Sequence, residues 1–194
     1  SEVKLAPDGE IIMRGPNVFM GYYKDAAATA DTLIDGWLHS GDLGRFDENG
    51  FLTIVGRKKD IIITSGGKNI APRNIEAALK NIPLVGDAVL VGEGRKYLCA
   101  LLTLDPEAAT RFADAHQLEG KELHTNPQVL AAIQAEIDEN VNPQFARVEQ
   151  VRKFTLLSKP FSIEGGEMTP TLKLKRKAIC DMHLDEIEEM YDAE

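Results

Sequence analysis

A run of four charged residues, Arg57-Lys58-Lys59-Asp60, breaks directly into Ile61-Ile62-Ile63-Thr64, then Gly66-Gly67, then Pro72. That order leaves the chain few options. Four consecutive charges stay at the surface, and the β-branched residues after them read as a strand over 61–64. Gly-Gly reads as a tight turn. Proline is tolerated at the first position of a helix, so Pro72 opens a helical segment running through Leu79. The patterns on the two sides of the charged run differ, which makes it a joint between two parts.

Upstream, the signals are those of β structure. Pro7-Asp8-Gly9 is a turn, Glu10 to Arg14 a short strand, and Gly15-Pro16 its end. Asp25 is placed to cap a helix over residues 26–33. Leu43 to Phe46 and Phe51 to Val55 flank Asp47-Glu48-Asn49-Gly50, a hairpin signal. Gly36-Trp37-Leu38-His39-Ser40-Gly41-Asp42 reads as a compact polar turn ending in a carboxylate.

Downstream, strands alternate with helices. Residues 88–91, 98–104 and 151–157 read as a three-strand core, and Asp105-Pro106 and Asn126-Pro127 each place an N-cap before a first-turn proline. Lys175 to Met190 reads as one closing helix, with Leu174, Ile179, Met182, His183, Ile187 and Met190 along one side. There His183 is a packed or surface histidine. The fold class expected is α+β: a small domain, a short sheet flanked by helices, preceded by a β-hairpin-rich fragment of a larger body. The boundaries are 1–58 and 59–194.

Charge narrows the functions. A net charge of −9 argues against a general nucleic-acid binder. Against that background, Arg57-Lys58-Lys59 and Lys173-Lys175-Arg176-Lys177 stand out as places to handle a small anion such as phosphate. No apolar run is long enough to span a bilayer. Cys99 and Cys180 are unclustered, as in a reduced cytoplasmic protein.

Three stations now carry a resemblance: Gly36 to Asp42, Gly56 to Pro72, and Thr169-Pro170-Thr171-Leu172-Lys173-Leu174-Lys175-Arg176. In this order they are similar to the C-terminal third of the AMP-forming acyl-CoA synthetases, which activate carboxylic acids. The resemblance implies two half-reactions: acyl-AMP and pyrophosphate form from ATP, and the thiol of coenzyme A then displaces AMP. Leu172, where many relatives have glycine, Asn74, where many have glutamate, and the helical stretch between Leu118 and Arg152 resemble the long-chain fatty acid–CoA ligase branch.

Roles follow residue by residue from that resemblance. Asp42 matches the carboxylate that accepts hydrogen bonds from the ribose hydroxyls of ATP, and Arg57 the arginine that reaches the ribose and phosphate region. Lys59 falls at the hinge about which the C-terminal domain turns. Gly66 and Gly67 line the coenzyme A channel, although a tight turn accounts for them equally well. Lys173 matches the catalytic lysine that bridges carboxylate and α-phosphate, with Lys175 its competitor. Lys58 and Lys68 are read as plain exposed lysines. No metal ligand is read here, because the Mg²⁺-linked glutamate and the phosphate loop of such enzymes are missing from these residues. The fragment alone is therefore expected to be inactive.

The partners implied are ATP, a fatty acid, coenzyme A and a large N-terminal domain of the same chain. No nucleic acid is implied, and at most peripheral membrane association. Loading of an acid onto a carrier protein, a luciferase-type oxygenase, and a non-catalytic lid-like module binding nucleotide or a partner stay open as alternatives.

Overall fold

The computed structural model describes residues 1–118 and 122–192, and these divide into two compact units, Ser1–Ile61 and Ile62 onward. The first unit holds β1 (Glu2–Leu5), β2 (Glu10–Arg14), α1 (Ala26–Thr32), β3 (Leu33–Ile34), β4 (Trp37–Phe46) and β5 (Leu52–Arg57). Its strands form one antiparallel sheet, ordered β1-β2-β4-β3 with β5 also on β4. The Asp25 carboxylate caps α1 by accepting from the Ala28 N–H at 2.9 Å. The expected hairpin joins β4 to β5, and the Asp47 carboxylate organises its loop by accepting from Asn49 and Phe51 N–H. A second hairpin escaped the sequence reading. Asp35 and Gly36 both take positive φ, +49° and +77°, as a two-residue turn between β3 and β4 requires. Ile11 and Ile12 are this unit's buried apolar side chains, whereas Met20, Tyr23, Phe51 and Ile54 are exposed.

The second unit has β6 (Ile62–Ile63), β7 (Asn69–Ile70), α2 (Pro72–Lys80), β8 (Val85–Val91) and β9 (Leu98–Leu104). It continues with α3 (Pro106–Ala115), α4 (Pro127–Glu136), β10 (Val151–Leu156), α5 (Arg176–Met182) and α6 (Leu184–Asp192). The sheet is ordered β10-β9-β8, with β10 parallel and β8 antiparallel to β9. The expected α+β architecture is what forms. The central strand β9 is apolar except for Thr103, whose hydroxyl accepts from the Asp87 N–H, as suits a strand covered on both faces. Leu98, Ala100 and Leu102 pack with Ile75 and Leu79 of α2 and Val129 and Ile133 of α4. Cys99 and Leu101 pack with Ile179 of α5 and Ile187 and Met190 of α6. Asp105 and Asn126 cap α3 and α4 as expected.

Two expectations are corrected, and a third is met where the residues are described. The closing helix is two helices, broken at His183 (φ −113°, ψ 33°), which ends α5 through its N–H to Ile179 and starts α6 through its carbonyl to Ile187. The break turns Ile187 and Met190 inward and leaves Met182 half exposed. The strand expected over 61–64 shrinks to β6, since Thr64 already accepts and donates within the loop to Lys68. The extra stretch beyond Leu118 is helical in α4 and the π turn Ile137–Val141, and its residues 119–121 lie outside those described. Among the described residues no helix is long and apolar enough to cross a membrane.

Candidate functional site

Ser40-Gly41-Asp42 is not a turn but a bulge inside the continuous strand β4. Glu10 of β2 stands opposite Leu43, and Ile12 opposite His39, so β4 carries the excess residues. Gly41 makes the bulge possible with φ +73°. The Ser40 hydroxyl donates to the Ile11 carbonyl at 2.7 Å and accepts from the Asp42 N–H at 3.1 Å. A bulge re-aims the side chain that follows it. Here that side chain is Asp42, directly opposite Arg57 of β5.

The structure thus brings two expected site residues together. Arg57 Nε donates to Asp42 Oδ1 at 3.1 Å. The Asp42 side chain is 29 % exposed and that of Arg57 71 %, so both keep atoms free for a ligand. An exposed pair of this kind contributes about 0–1 kcal/mol to stability. What it offers instead is an acceptor-only carboxylate beside a fork of donors.

Behind the bulge lies a network that the sequence did not disclose. Glu10 is 5 % exposed. Its carboxylate accepts from the Gly41 N–H at 2.8 Å and pairs with His39 Nδ1 at 3.0 Å and Lys58 Nζ at 3.3 Å. Lys58 also meets Asp8 at 2.5 Å, so the lysine is exposed as expected but tied to two carboxylates as a strut. Burial pushes the Glu10 carboxyl up, but His39, the Gly41 N–H and Lys58 together hold it below its ordinary range. The Lys58 hydrogen bond holds Asp8 low, and the two carboxylates raise Lys58. The only signal available in the sequence was a carboxylate opening a strand directly before three apolar residues.

The sign of the pH dependence follows. Carboxyls lowered in the folded state stabilise it above their unfolded pKa, and that stability is lost as pH falls through the folded values. Lys58, being raised, loses its contribution only at strongly alkaline pH. Urea midpoints of this chain are therefore expected to fall from about pH 5 downward. Glu10→Gln is expected to cost on the order of 1–3 kcal/mol at pH 7 and to flatten that acid slope. Equal slopes in the two proteins would show that Glu10 is not its source.

Lys59 is exposed in the single 3-10 turn Lys58–Asp60, just before the boundary between the units. Gly66 and Gly67 lie in the exposed loop from β6 to β7, with Gly67 at φ +73° and its N–H bonded to the Thr64 carbonyl. A Cβ on either would meet no clash. The loop is moored to the Gly92–Arg95 turn, where Ser65 N–H reaches the Arg95 carbonyl and Gly94 N–H the Ile63 carbonyl.

Lys173 is exposed and lies on a separate turn of the second unit. The segment is a tight hairpin-like turn, with Leu174, between Lys173 and Lys175, bridged to Met168. Thr169 N–H bonds the Lys173 carbonyl at 2.8 Å, Leu172 N–H the Thr169 carbonyl at 2.9 Å, and Lys173 N–H the Thr169 hydroxyl at 3.0 Å. Leu172 sits at φ +58° and is 70 % exposed, so leucine occupies a left-handed position that favours glycine. The Lys173 ammonium has no partner among the described residues. Lys175 is exposed at the start of α5, where its carbonyl accepts from Ile179. Arg176 leaves the expected basic cluster altogether, because it is bound inside the unit.

Burial pushes the Cys99 and Cys180 thiols up, so neither is a ready nucleophile. Among the described residues no group of three or more His, Cys, Asp or Glu gathers to hold a metal ion.

The chain is similar to known proteins. Residues 59–194 match the family model "AMP-binding enzyme C-terminal domain". Over all of its length the chain is 41 % identical to 33 % of the long-chain-fatty-acid–CoA ligase FadD15 of Mycobacterium tuberculosis. Over 94 % of its length it is 40 % identical to 31 % of the long-chain-fatty-acid–CoA ligase ACSBG2 of Mus musculus. The chain thus spans about a third of the length of these relatives. Among solved structures, the adenylation domain of a carboxylate reductase from Mycobacterium chelonae is similar to it. The TM-score is 0.79 at 25 % identity, over 99 % of this chain and 31 % of that one. The chain belongs to the family of AMP-binding enzyme C-terminal domains.

Proposed function

We propose that this chain is the C-terminal part of an ATP-dependent long-chain fatty acid–CoA ligase. The observation that carries the reading is the Asp42–Arg57 pair, set on adjacent strands of a chain 41 % identical to such a ligase. Asp42 accepts the ribose hydroxyls of ATP, and Arg57 keeps Asp42 in place while its terminal nitrogens reach the ribose and phosphate side. Lys173 extends an unpaired ammonium to the reacting carboxylate and the α-phosphate, where negative charge builds as the carboxylate oxygen attacks phosphorus and pyrophosphate leaves. In the second half-reaction the coenzyme A thiol attacks the acyl carbon and AMP leaves. Gly66 and Gly67 then let backbone approach the pantetheine arm, and the Lys59 turn absorbs the change of orientation between the halves.

Residues 1–58 are assigned to the end of the large adenylation domain and 59–194 to the lid. The exposed Met20, Tyr23 and Phe51 fit a segment that packs against more protein than itself. Magnesium enters no step described here, and we assign it to the remainder of the longer protein. The carboxylate reductase likeness favours a second reading, an adenylation domain that hands its acid to a carrier. The higher identity to the ligases ranks it below the first.

The test is product identity. Full-length protein given palmitate, ATP and coenzyme A is expected to yield palmitoyl-CoA, AMP and pyrophosphate. Formation of ADP, or no dependence on palmitate, would end the reading.

A further inference from the structure

We propose that Glu76 and Arg176 are positioning residues for Lys173, acting by closing the open edge of the lid sheet at the root of the Lys173 turn. β8 is an edge strand, and the N–H and C=O of Leu90 point away from β9. Two unpaired backbone groups on a covered edge are costly unless something replaces the absent strand. Glu76 Oε1, from α2, accepts the Leu90 N–H at 2.7 Å. Arg176 Nη1, from the first residue of α5, donates to the Leu90 carbonyl at 2.7 Å. The two side chains close the ring on each other, Nη2 to Oε1 at 2.6 Å. A carboxylate and a guanidinium thus mimic one residue of a neighbouring strand.

The consequence for Lys173 is geometric. Its turn is a short closed loop with Met168 paired to Leu174 at its base, and the Lys175 N–H bonds the Glu167 carbonyl at 2.7 Å. The exit of that loop runs directly into α5 at Arg176. Pinning Arg176 to β8 and α2 therefore fixes the exit strand three residues after Lys173. The pair is largely withdrawn from water, with side-chain exposures of 25 % for Arg176 and 16 % for Glu76. Arg176 Nε is buried and finds no hydrogen-bond partner among the described residues. Only a planar fork spans carbonyl and carboxylate together; lysine supplies the charge without that span.

The inference rests on the assignment of Lys173 to adenylation, and the experiment separates the two. In full-length protein, Arg176→Lys and the milder Glu76→Gln are each combined with Lys173→Ala. Palmitate-dependent pyrophosphate release and conversion of supplied palmitoyl-AMP to palmitoyl-CoA are measured for every variant, with thermal unfolding as the check on folding. Each single variant is expected to lower kcat for pyrophosphate release about tenfold, in line with a displaced catalytic group, and to leave the second half-reaction intact. In the Lys173→Ala background neither is expected to cause any further loss. A tenfold loss that persists without Lys173, or an equal loss in both half-reactions, overturns the positioning role. If Lys173→Ala alone leaves pyrophosphate release unchanged, the assignment of Lys173 fails, and the positioning role with it.

Discussion

Replacing Lys173 by alanine in the full-length protein is expected to lower palmitate-dependent pyrophosphate release about 10²–10³-fold. Conversion of supplied palmitoyl-AMP to palmitoyl-CoA is expected to stay near wild type. The asymmetry follows from where the charge stands. Lys173 lies on an exposed turn closed by backbone atoms and the Thr169 hydroxyl, so truncating its side chain removes a cation without unmaking the turn. At an effective dielectric near 20, a unit-charge contact at ~4 Å is worth on the order of 4 kcal/mol. On the role proposed for Lys173, that energy is available when carboxylate and phosphate react and is not called on when a thiol displaces AMP. Retention of both half-reactions would reduce Lys173 to a surface lysine and pass the role to Lys175 or to another mechanism.

The second large effect is expected at Asp42. Asp42→Asn keeps the oxygen that accepts from Arg57 Nε, so the strand pairing survives. The charge is gone, and hydrogen bonds to a charged acceptor are worth about 1.5–3 kcal/mol. KM for ATP is therefore expected to rise about 10- to 100-fold, with a smaller change in kcat and little change in KM for palmitate. An unchanged KM for ATP would remove Asp42 from the nucleotide site. Asp42→Ala is the harsher companion, because it also leaves Arg57 without its anchor.

Local chemistry was readable in the sequence, and distant contact was not. Asp25, Asp105 and Asn126 each sit one residue before a helix, where their side chains take up its free amides, and proline at 72, 106 and 127 set the first turns. The three-stranded sheet of the second unit stood out because β8 and β9 carry nearly continuous apolar runs. Ser40-Gly41-Asp42 was misread because its bulge is filled by Glu10, a residue of another strand. The pairing of Glu76 with Arg176 was equally hidden, since the two stand 100 residues apart and meet only in the folded chain, at the edge of β8. Arg176 therefore read as one more member of a basic run. Leu172 is the reverse case: the departure from glycine was visible in the chain, but its φ of +58° was not.

A fatty acid that passes through an adenylate before it meets coenzyme A, as proposed, leaves an intermediate that a single-turnover experiment on the full-length protein can trap. Enzyme in excess over radiolabelled palmitate, with ATP and no coenzyme A, is expected to accumulate enzyme-bound palmitoyl-AMP. A chase with coenzyme A is then expected to convert it to palmitoyl-CoA. Palmitoyl-AMP that forms but cannot be chased by coenzyme A would contradict the ligase reading in favour of a carrier acceptor. Absence of any palmitoyl-AMP would contradict the adenylation chemistry itself.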